Sequence, residues 1–284
     1  MFELIFFAVG LIGSSLAAAW DLKTTEIPDE IPNVMIAIAL ILFSIQSILE
    51  WSYWPILNSL IVGGGLLVFG FLMYYFGQWG GGDAKILAAV GFLVPTFSSN
   101  LLFSFPISYL FNVFLVGAVY MILYAFIIAA LNKKIIFKFF KDVKANTNAV
   151  LLGSIGLFIF FFALNWYLMK SFQLAFELTS AIQNSIIPLL VTLGLFFLWR
   201  FAKAVEDIGF KRKIPVSKLK VGDVLLENRL WEGINEKQLK KIKKSGKKTV
   251  VIKEGVRFAP AFPLALLFTL FYGDGILFLI KTFL

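Results

Sequence analysis

Long apolar runs, interrupted by short turns and small clusters of charge, occupy the chain from residue 2 to residue 199 and return at 260–283. Crossing about 30 Å of hydrocarbon takes roughly 20 largely apolar residues. Eight segments have that pattern: 2–20, 31–49, 56–76, 84–102, 106–131, 149–169, 182–199 and 260–283. The first has no basic region ahead of it, carries Glu3 and is followed by further spans, so it reads as a permanent helix and not as a cleaved signal peptide. The long polar stretch at 200–258 predicts a small α+β module. In it, 221–226 reads as a strand, 235–244 as a helix with Asn235 as N-cap and Gln238 reaching back, and Thr249–Lys253 as a second strand. Gly246 is placed to stop that helix, and Glu254-Gly255 to turn the chain. The expected fold is an all-α polytopic membrane protein of about eight transmembrane helices, with a basic α+β cytoplasmic module between the last two spans. The expected divisions are 1–199, 200–258 and 259–284.

Composition agrees with a chain whose solvent is mostly lipid: 60% of the 284 residues are hydrophobic, 15% are charged, and the mean hydropathy is +0.87. Basic loops stay cytoplasmic, and all 26 lysines and arginines except Lys170 and Lys281 fall on one side of the eight-span arrangement. Both termini are therefore expected outside, in a multi-pass protein of the plasma membrane. The stretch 200–258 holds 17 basic and 7 acidic residues. Its lysines border a membrane and are not interleaved with aromatics, so the expected partner is the anionic headgroup layer, and no nucleic acid is expected.

Two absences narrow the chemistry. The chain contains no histidine and no cysteine, which excludes Ser-His-Asp and Cys-His couples, disulfides, thiolate metal sites and two-histidine zinc sites. No metal and no cofactor are expected. Catalysis would have to run on carboxylates, lysines, hydroxyls or backbone.

Carboxylates at span ends or within hydrocarbon are the informative ones, because burying an ionisable group there is costly. Asp21 closes the first span, Asp83 opens the fourth and Asp274 lies within the eighth. Asp21 and Asp83 share one membrane boundary; Asp274 is well past the middle, either structural or in a polar outer pocket. Gly13, Ala17 and Asp21 fall on one helix face, and Gly63, Gly70 and Gly77 repeat every seven residues, leading into Gly80-Gly81-Gly82-Asp83. Small-residue faces allow close helix approach. The glycines either admit another chain to the backbone or form a flexible loop that Asp83 caps.

The segments Trp20-Asp21-Leu22-Lys23-Thr24-Thr25-Glu26-Ile27-Pro28-Asp29 and Gly80-Gly81-Gly82-Asp83-Ala84-Lys85 resemble the two signatures of the type IV prepilin peptidases, the GxGD aspartyl proteases of the membrane. The archaeal branch, which processes pilin and archaellin precursors, is the nearest in pattern. The entry to the last span, Gly255-Val256-Arg257-Phe258-Ala259-Pro260-Ala261-Phe262-Pro263, is also similar to that branch. The chain lacks the cysteine-rich zinc segment of the bacterial enzymes, so their N-methylation is not carried over. Presenilin and the signal peptide peptidases share the GxGD aspartate but have a Tyr-Asp pair and a Pro-Ala-Leu motif that are not found here.

The resemblance implies catalysis by Asp21 and Asp83 and a substrate with a short basic leader, cut at the cytoplasmic face ahead of its hydrophobic helix. Two nearby carboxylates can share one proton, the ionised one activating water and the protonated one polarising the scissile carbonyl. Gly80 and Gly82 would hold the substrate extended. Glu26 and Asp29, with Glu30, either attract leader lysines and arginines or complement the start of the second span. Lys85 either acts on Asp83 or anchors at the interface. A rival class is a carboxylate-based ion or proton-coupled transporter, which predicts an inverted repeat and midplane carboxylates.

Overall fold

The structure, a computed structural model, describes residues 2–97, 103–173, 177–227 and 233–283. The helices in chain order are α1 (Phe2–Thr24), α2 (Glu30–Leu49), α3 (Trp54–Tyr75), α4 (Gly81–Leu93), α5 (Phe105–Leu131), α6 (Lys133–Ala145), α7 (Thr147–Ser171) and α8 (Leu178–Val205). A π-helical turn, Glu206–Phe210, follows α8. Then come β1 (Lys211–Pro215), β2 (Val224–Leu225), α9 (Glu236–Lys244), β3 (Thr249–Lys253), α10 (Ala261–Tyr272) and α11 (Gly275–Phe283). Among the described residues, α1, α2, α3, α5, α7 and α8 are the six helices long and apolar enough to cross a membrane.

The remaining two apolar segments behave differently from the expected spans, each for a visible reason. The fourth gives a helix of 13 residues that stops at Leu93 ahead of Pro95. At 1.5 Å per residue α4 is roughly 20 Å long, short of the hydrocarbon thickness. The end of that expected span, 98–102, lies outside the described residues. Helix α4 is apolar all round because it is enclosed: Ile86, Leu87, Ala88, Ala89, Val90 and Leu93 are almost inaccessible. The eighth segment breaks into α10 and α11 at Gly273, whose φ is +72°, and Asp274.

The chain forms two compact units, one comprising 1–124 with 211–284 and the other 125–210. In the first, α4 packs against α1, α2 and α3, and α10 against α1. Glycines set the closest approach. A Cβ on Gly70 would lie 2.8 Å from the Ala84 Cα, and one on Gly63 would enter the Phe92 ring, so α3 and α4 meet along the glycine face that the seven-residue repeat predicts. The Ser59 hydroxyl donates to the Phe92 carbonyl (2.7 Å) at the far end of the same contact. On α1, Ser14, Ala17, Ala18 and Asp21 are buried, and Gly13 faces Met35 of α2.

The break between α10 and α11 frees backbone groups that apolar surroundings would leave unpaired. Polar side chains of α5 take them up. Asn112 donates to the Gly273 carbonyl (2.8 Å) and the Thr269 hydroxyl (2.9 Å), and its Oδ1 accepts from the Gly275 N–H (3.1 Å). Buried Asp274 accepts from the Ser108 hydroxyl.

The polar module holds a three-stranded antiparallel sheet in the order β1-β3-β2, with Lys211 and Val224 both opposite Lys253. Its helix α9 carries the expected cap, the Asn235 side chain accepting from the Gln238 N–H (2.9 Å) and Gln238 from the Asn235 N–H (2.8 Å). Gly246, at φ +71°, ends it. The strand expected at 221–226 shrinks to Val224–Leu225 because Gly222, at φ +95°, turns the chain first. Residues 254–258 run without a turn.

In the second unit, Ile135, Ala129, Ala204 and Val205 form a small core with Phe139 and Phe201 beside it. The lysine-rich run after α5 is the amphipathic helix α6, capped by Asn132, which accepts from the Lys134 N–H (3.2 Å). Ile135 and Phe139 point inward, while Ile136, Phe137 and Phe140 are exposed among lysines.

Candidate active site

Helix α1 ends in a tight hydrogen-bonded turn, with Thr25 at φ +62° donating its N–H to the Asp21 carbonyl (2.8 Å). A β-branched residue is uncommon in this left-handed region, and here it redirects the chain back across the bundle within four residues of Asp21. The Thr25 carbonyl faces Gly255, where a Cβ would lie 3.1 Å away.

Asp83 is positioned from the other side. Gly77, at φ +72°, ends α3. Trp79 is then buried, stacked on Phe114 at 5.6 Å and close to Phe258 and Phe262. Gly80 is extended and begins α4, its N–H donating to Asp83 Oδ2 (3.0 Å). This interaction joins Asp83 to the helix start and occupies the Gly80 N–H.

Two contacts bring these elements together. A Cβ on Gly82 would lie 2.8 Å from the Ile27 Cβ, so the absent side chain at 82 makes room for the loop that follows Asp21. Lys85, three residues further along α4, pairs with Asp29 at 2.7 Å. Asp29 stands at the N-cap of α2 without making a side-chain capping bond. Glu26 and Glu30 are exposed.

The Asp21 carboxylate is 4% exposed and its Oδ2 accepts from the Ala259 N–H (3.0 Å), just ahead of α10. Asp83 is half-buried and precedes the fourth apolar segment. Burial pushes its carboxyl up to about 7, against the Gly80 hydrogen bond, and the negative charge of Asp21 adds to the rise. The two acids therefore lie within electrostatic reach of each other. Asp274 is in the polar network that joins α5 to the α10–α11 break.

Arg257 is part of this environment, a contribution that motif spacing did not reveal. Its Nη1 donates to the Tyr124 hydroxyl (2.8 Å), and that bond, with the charges of Tyr124 and Asp21, holds the guanidinium above its ordinary range. Tyr120 stacks on Tyr124 with ring centres 5.9 Å apart, and its buried hydroxyl makes no hydrogen bond among the described residues. The available sequence signal was a single basic residue three positions before Pro260, at the entry to the last apolar segment.

Residues 8–131 match the family model described as the type IV leader peptidase family. The chain is 35% identical over 97 residues to a preflagellin peptidase of Methanococcus voltae, covering 34% of this chain and 40% of that protein. It is 33% identical over 97 residues to a preflagellin peptidase of Methanocaldococcus jannaschii, with the same two coverages of 34% and 40%. Over 145 residues it is 23% identical to the prepilin peptidase EppA of Methanothermobacter thermautotrophicus, covering 46% of this chain and 38% of that one. The chain thus spans 38–40% of the length of these curated relatives. The resemblance carried by the two aspartate motifs is to the type IV leader peptidase family, and it covers residues 8–131, the segment that holds both Asp21 and Asp83.

Proposed function

We propose that the protein is a membrane aspartyl endopeptidase that removes a short basic leader from prepilin-like or pre-archaellin-like subunits at the cytoplasmic face, with both termini outside. Asp21 and Asp83 share one proton and act as a pair: the ionised carboxylate takes a proton from water while the protonated one polarises the scissile carbonyl. The roles belong to the pair and exchange during turnover. The observation that carries the reading is the electrostatic coupling of Asp83 to Asp21 within the segment that matches the leader peptidase family.

The surroundings fit that chemistry. Asp21 is fixed by the Ala259 N–H and Asp83 by the Gly80 N–H, so each carboxylate keeps one oxygen committed to backbone. Arg257 places a positive charge within electrostatic reach of Asp21. With the Gly80 N–H on Asp83 and the Gly80 carbonyl accepting from the Ala84 N–H, what the glycine segment offers an extended substrate is its lack of side chains. Glu26 and Glu30 are exposed in the stretch between α1 and the start of α2 and attract the lysines or arginines of the leader. Asp29 and Lys85 bind substrate less directly, by holding the loop onto α4.

The test is cleavage of a precursor in membranes by Asp21→Asn and Asp83→Asn variants. Each abolishes cleavage while the protein remains inserted and folded. Full activity in either variant would rule out the aspartyl mechanism.

A further inference from the structure

In the second unit, α7 and α8 leave between them a cavity of about 310 Å³, lined chiefly by Val150, Gly153, Leu157, Leu193 and Phe196, with Asn146 and Arg200 at one end. The lining runs from Asn146 to Leu157 along α7, roughly 16 Å at 1.5 Å per residue, which is about the depth of one leaflet of hydrocarbon.

The cavity is apolar along its length although two hydroxyls line it. Ser154 donates to the Val150 carbonyl (2.6 Å) and Thr192 to the Pro188 carbonyl (2.8 Å), so both are spent on their own helices. Asn146 is similarly engaged, its Nδ2 donating to the Asp142 carbonyl (2.7 Å). The end of the cavity is cationic. Ion pairs in this unit join Lys138 to Asp142 and Asp207, and Lys203 to Glu206. Arg200 takes part in none of them and rests beside the Trp199 ring, 5.7 Å from its centre.

Helix α6 sets the depth of that end. It exposes Ile136, Phe137 and Phe140 beside Lys133, Lys134, Lys141 and Lys144, the pattern of a helix lying in a membrane interface. Its C-cap is Asn146, the residue that shares the cavity mouth with Arg200. The guanidinium is therefore at headgroup level, and the apolar cavity runs from it into the hydrocarbon.

We propose that this cavity binds an anionic phospholipid, with an acyl chain between α7 and α8 and the headgroup phosphate on the Arg200 guanidinium. A planar guanidinium at the interface matches a phosphate with two parallel hydrogen bonds. The open notch at Gly153, where a Cβ would meet no heavy atom within 4 Å, leaves room for the chain.

The experiment is native mass spectrometry of the full chain in detergent with equimolar phosphatidylglycerol and phosphatidylcholine of identical acyl composition. The wild-type protein retains phosphatidylglycerol preferentially. Arg200→Gln lowers that retention about 5-fold, the size expected from one basic residue at a charged surface, and Arg200→Lys restores part of it. Gly153→Leu, whose Cβ enters open space, extends a side chain into the notch and lowers retention of both lipids. Thermal unfolding in detergent checks that the variants remain folded; Gly153→Leu improves helix propensity. Equal retention of the two lipids by the wild type overturns the proposal. So does Gly153→Leu with wild-type retention, since headgroup attraction alone would then account for the binding.

Discussion

Gly82 lies beneath Ile27 so closely that a methyl group at position 82 would sit 2.8 Å from the Ile27 Cβ. One missing side chain thus sets how near the loop after α1 comes to the first turn of α4, which carries Asp83. Gly82→Ala forces either the loop or the first turn of α4 to move. Overpacking of this kind costs about 1–3 kcal/mol, while a 1 Å misplacement of reacting groups costs on the order of 100-fold in rate. The expected result is a protein that still folds and inserts, with precursor cleavage reduced far more than its thermal stability. Unchanged cleavage would show that the contact does not position the pair.

The ion pair between Lys85 and Asp29 ties the same two elements at 2.7 Å, but Asp29 is largely exposed. Exposed pairs contribute about 0.2–1 kcal/mol. Lys85→Ala therefore barely shifts the melting temperature, whereas cleavage falls because the loop is released. The charge-reversed double variant, Lys85→Asp with Asp29→Lys, recovers activity if the pair acts as a clasp. A double variant as inactive as its parents would assign Lys85 or Asp29 a direct contact with substrate.

Protonation gives a third prediction. Burial raises the Asp83 carboxyl to about 7, so the folded protein keeps a proton that the unfolded chain releases near pH 4. Between those values the folded state binds more protons, and its stability falls as pH rises from about 4 to about 7. Asp83→Asn removes that part of the slope in thermal unfolding measured against pH. Cleavage, which needs the shared proton, declines as pH rises through about 7. A rate that climbs steadily to pH 9 would contradict the shared-proton pair.

The break between α10 and α11 depends on Asn112, which serves Thr269, Gly273 and Gly275 together. Asn112→Leu leaves the Gly273 carbonyl and the Gly275 N–H without this partner in apolar surroundings. Hydrogen bonds within membrane proteins average about 0.6 kcal/mol, and buried groups left unpaired cost about 1–3 kcal/mol. A loss of roughly 2 kcal/mol is expected in detergent unfolding, with Asn112→Gln intermediate. A neutral Asn112→Leu would mean that other groups can satisfy the break.

Much of this architecture is legible along the chain because membrane helices announce themselves locally. A run of apolar residues either reaches the thickness of hydrocarbon or falls short, and α1, α2, α3, α5, α7 and α8 all reach it. Capping is equally local, which is why Asn235 and Gln238 identify the start of α9 from their spacing alone. The strand β1 and the helix α6 were harder to read. Alternating Lys-Arg-Lys at 211–213 hides a strand paired to β3, and five lysines mask the inward Ile135 and Phe139 of α6.

The sequence by itself determined that two acids stand at the ends of apolar segments, that small residues line the faces leading to them, and that no histidine or cysteine is available to replace them. These are properties of composition and short-range spacing. Only the tertiary structure decided that α4 is enclosed, that the last apolar segment breaks at Gly273, and that Arg257, bonded to Tyr124, comes within electrostatic reach of Asp21. Hydropathy measures how apolar a segment is, but lipid and protein interior are equally apolar. Which of the two surrounds a helix, and which distant polar groups meet within it, depends on packing between residues far apart in the chain.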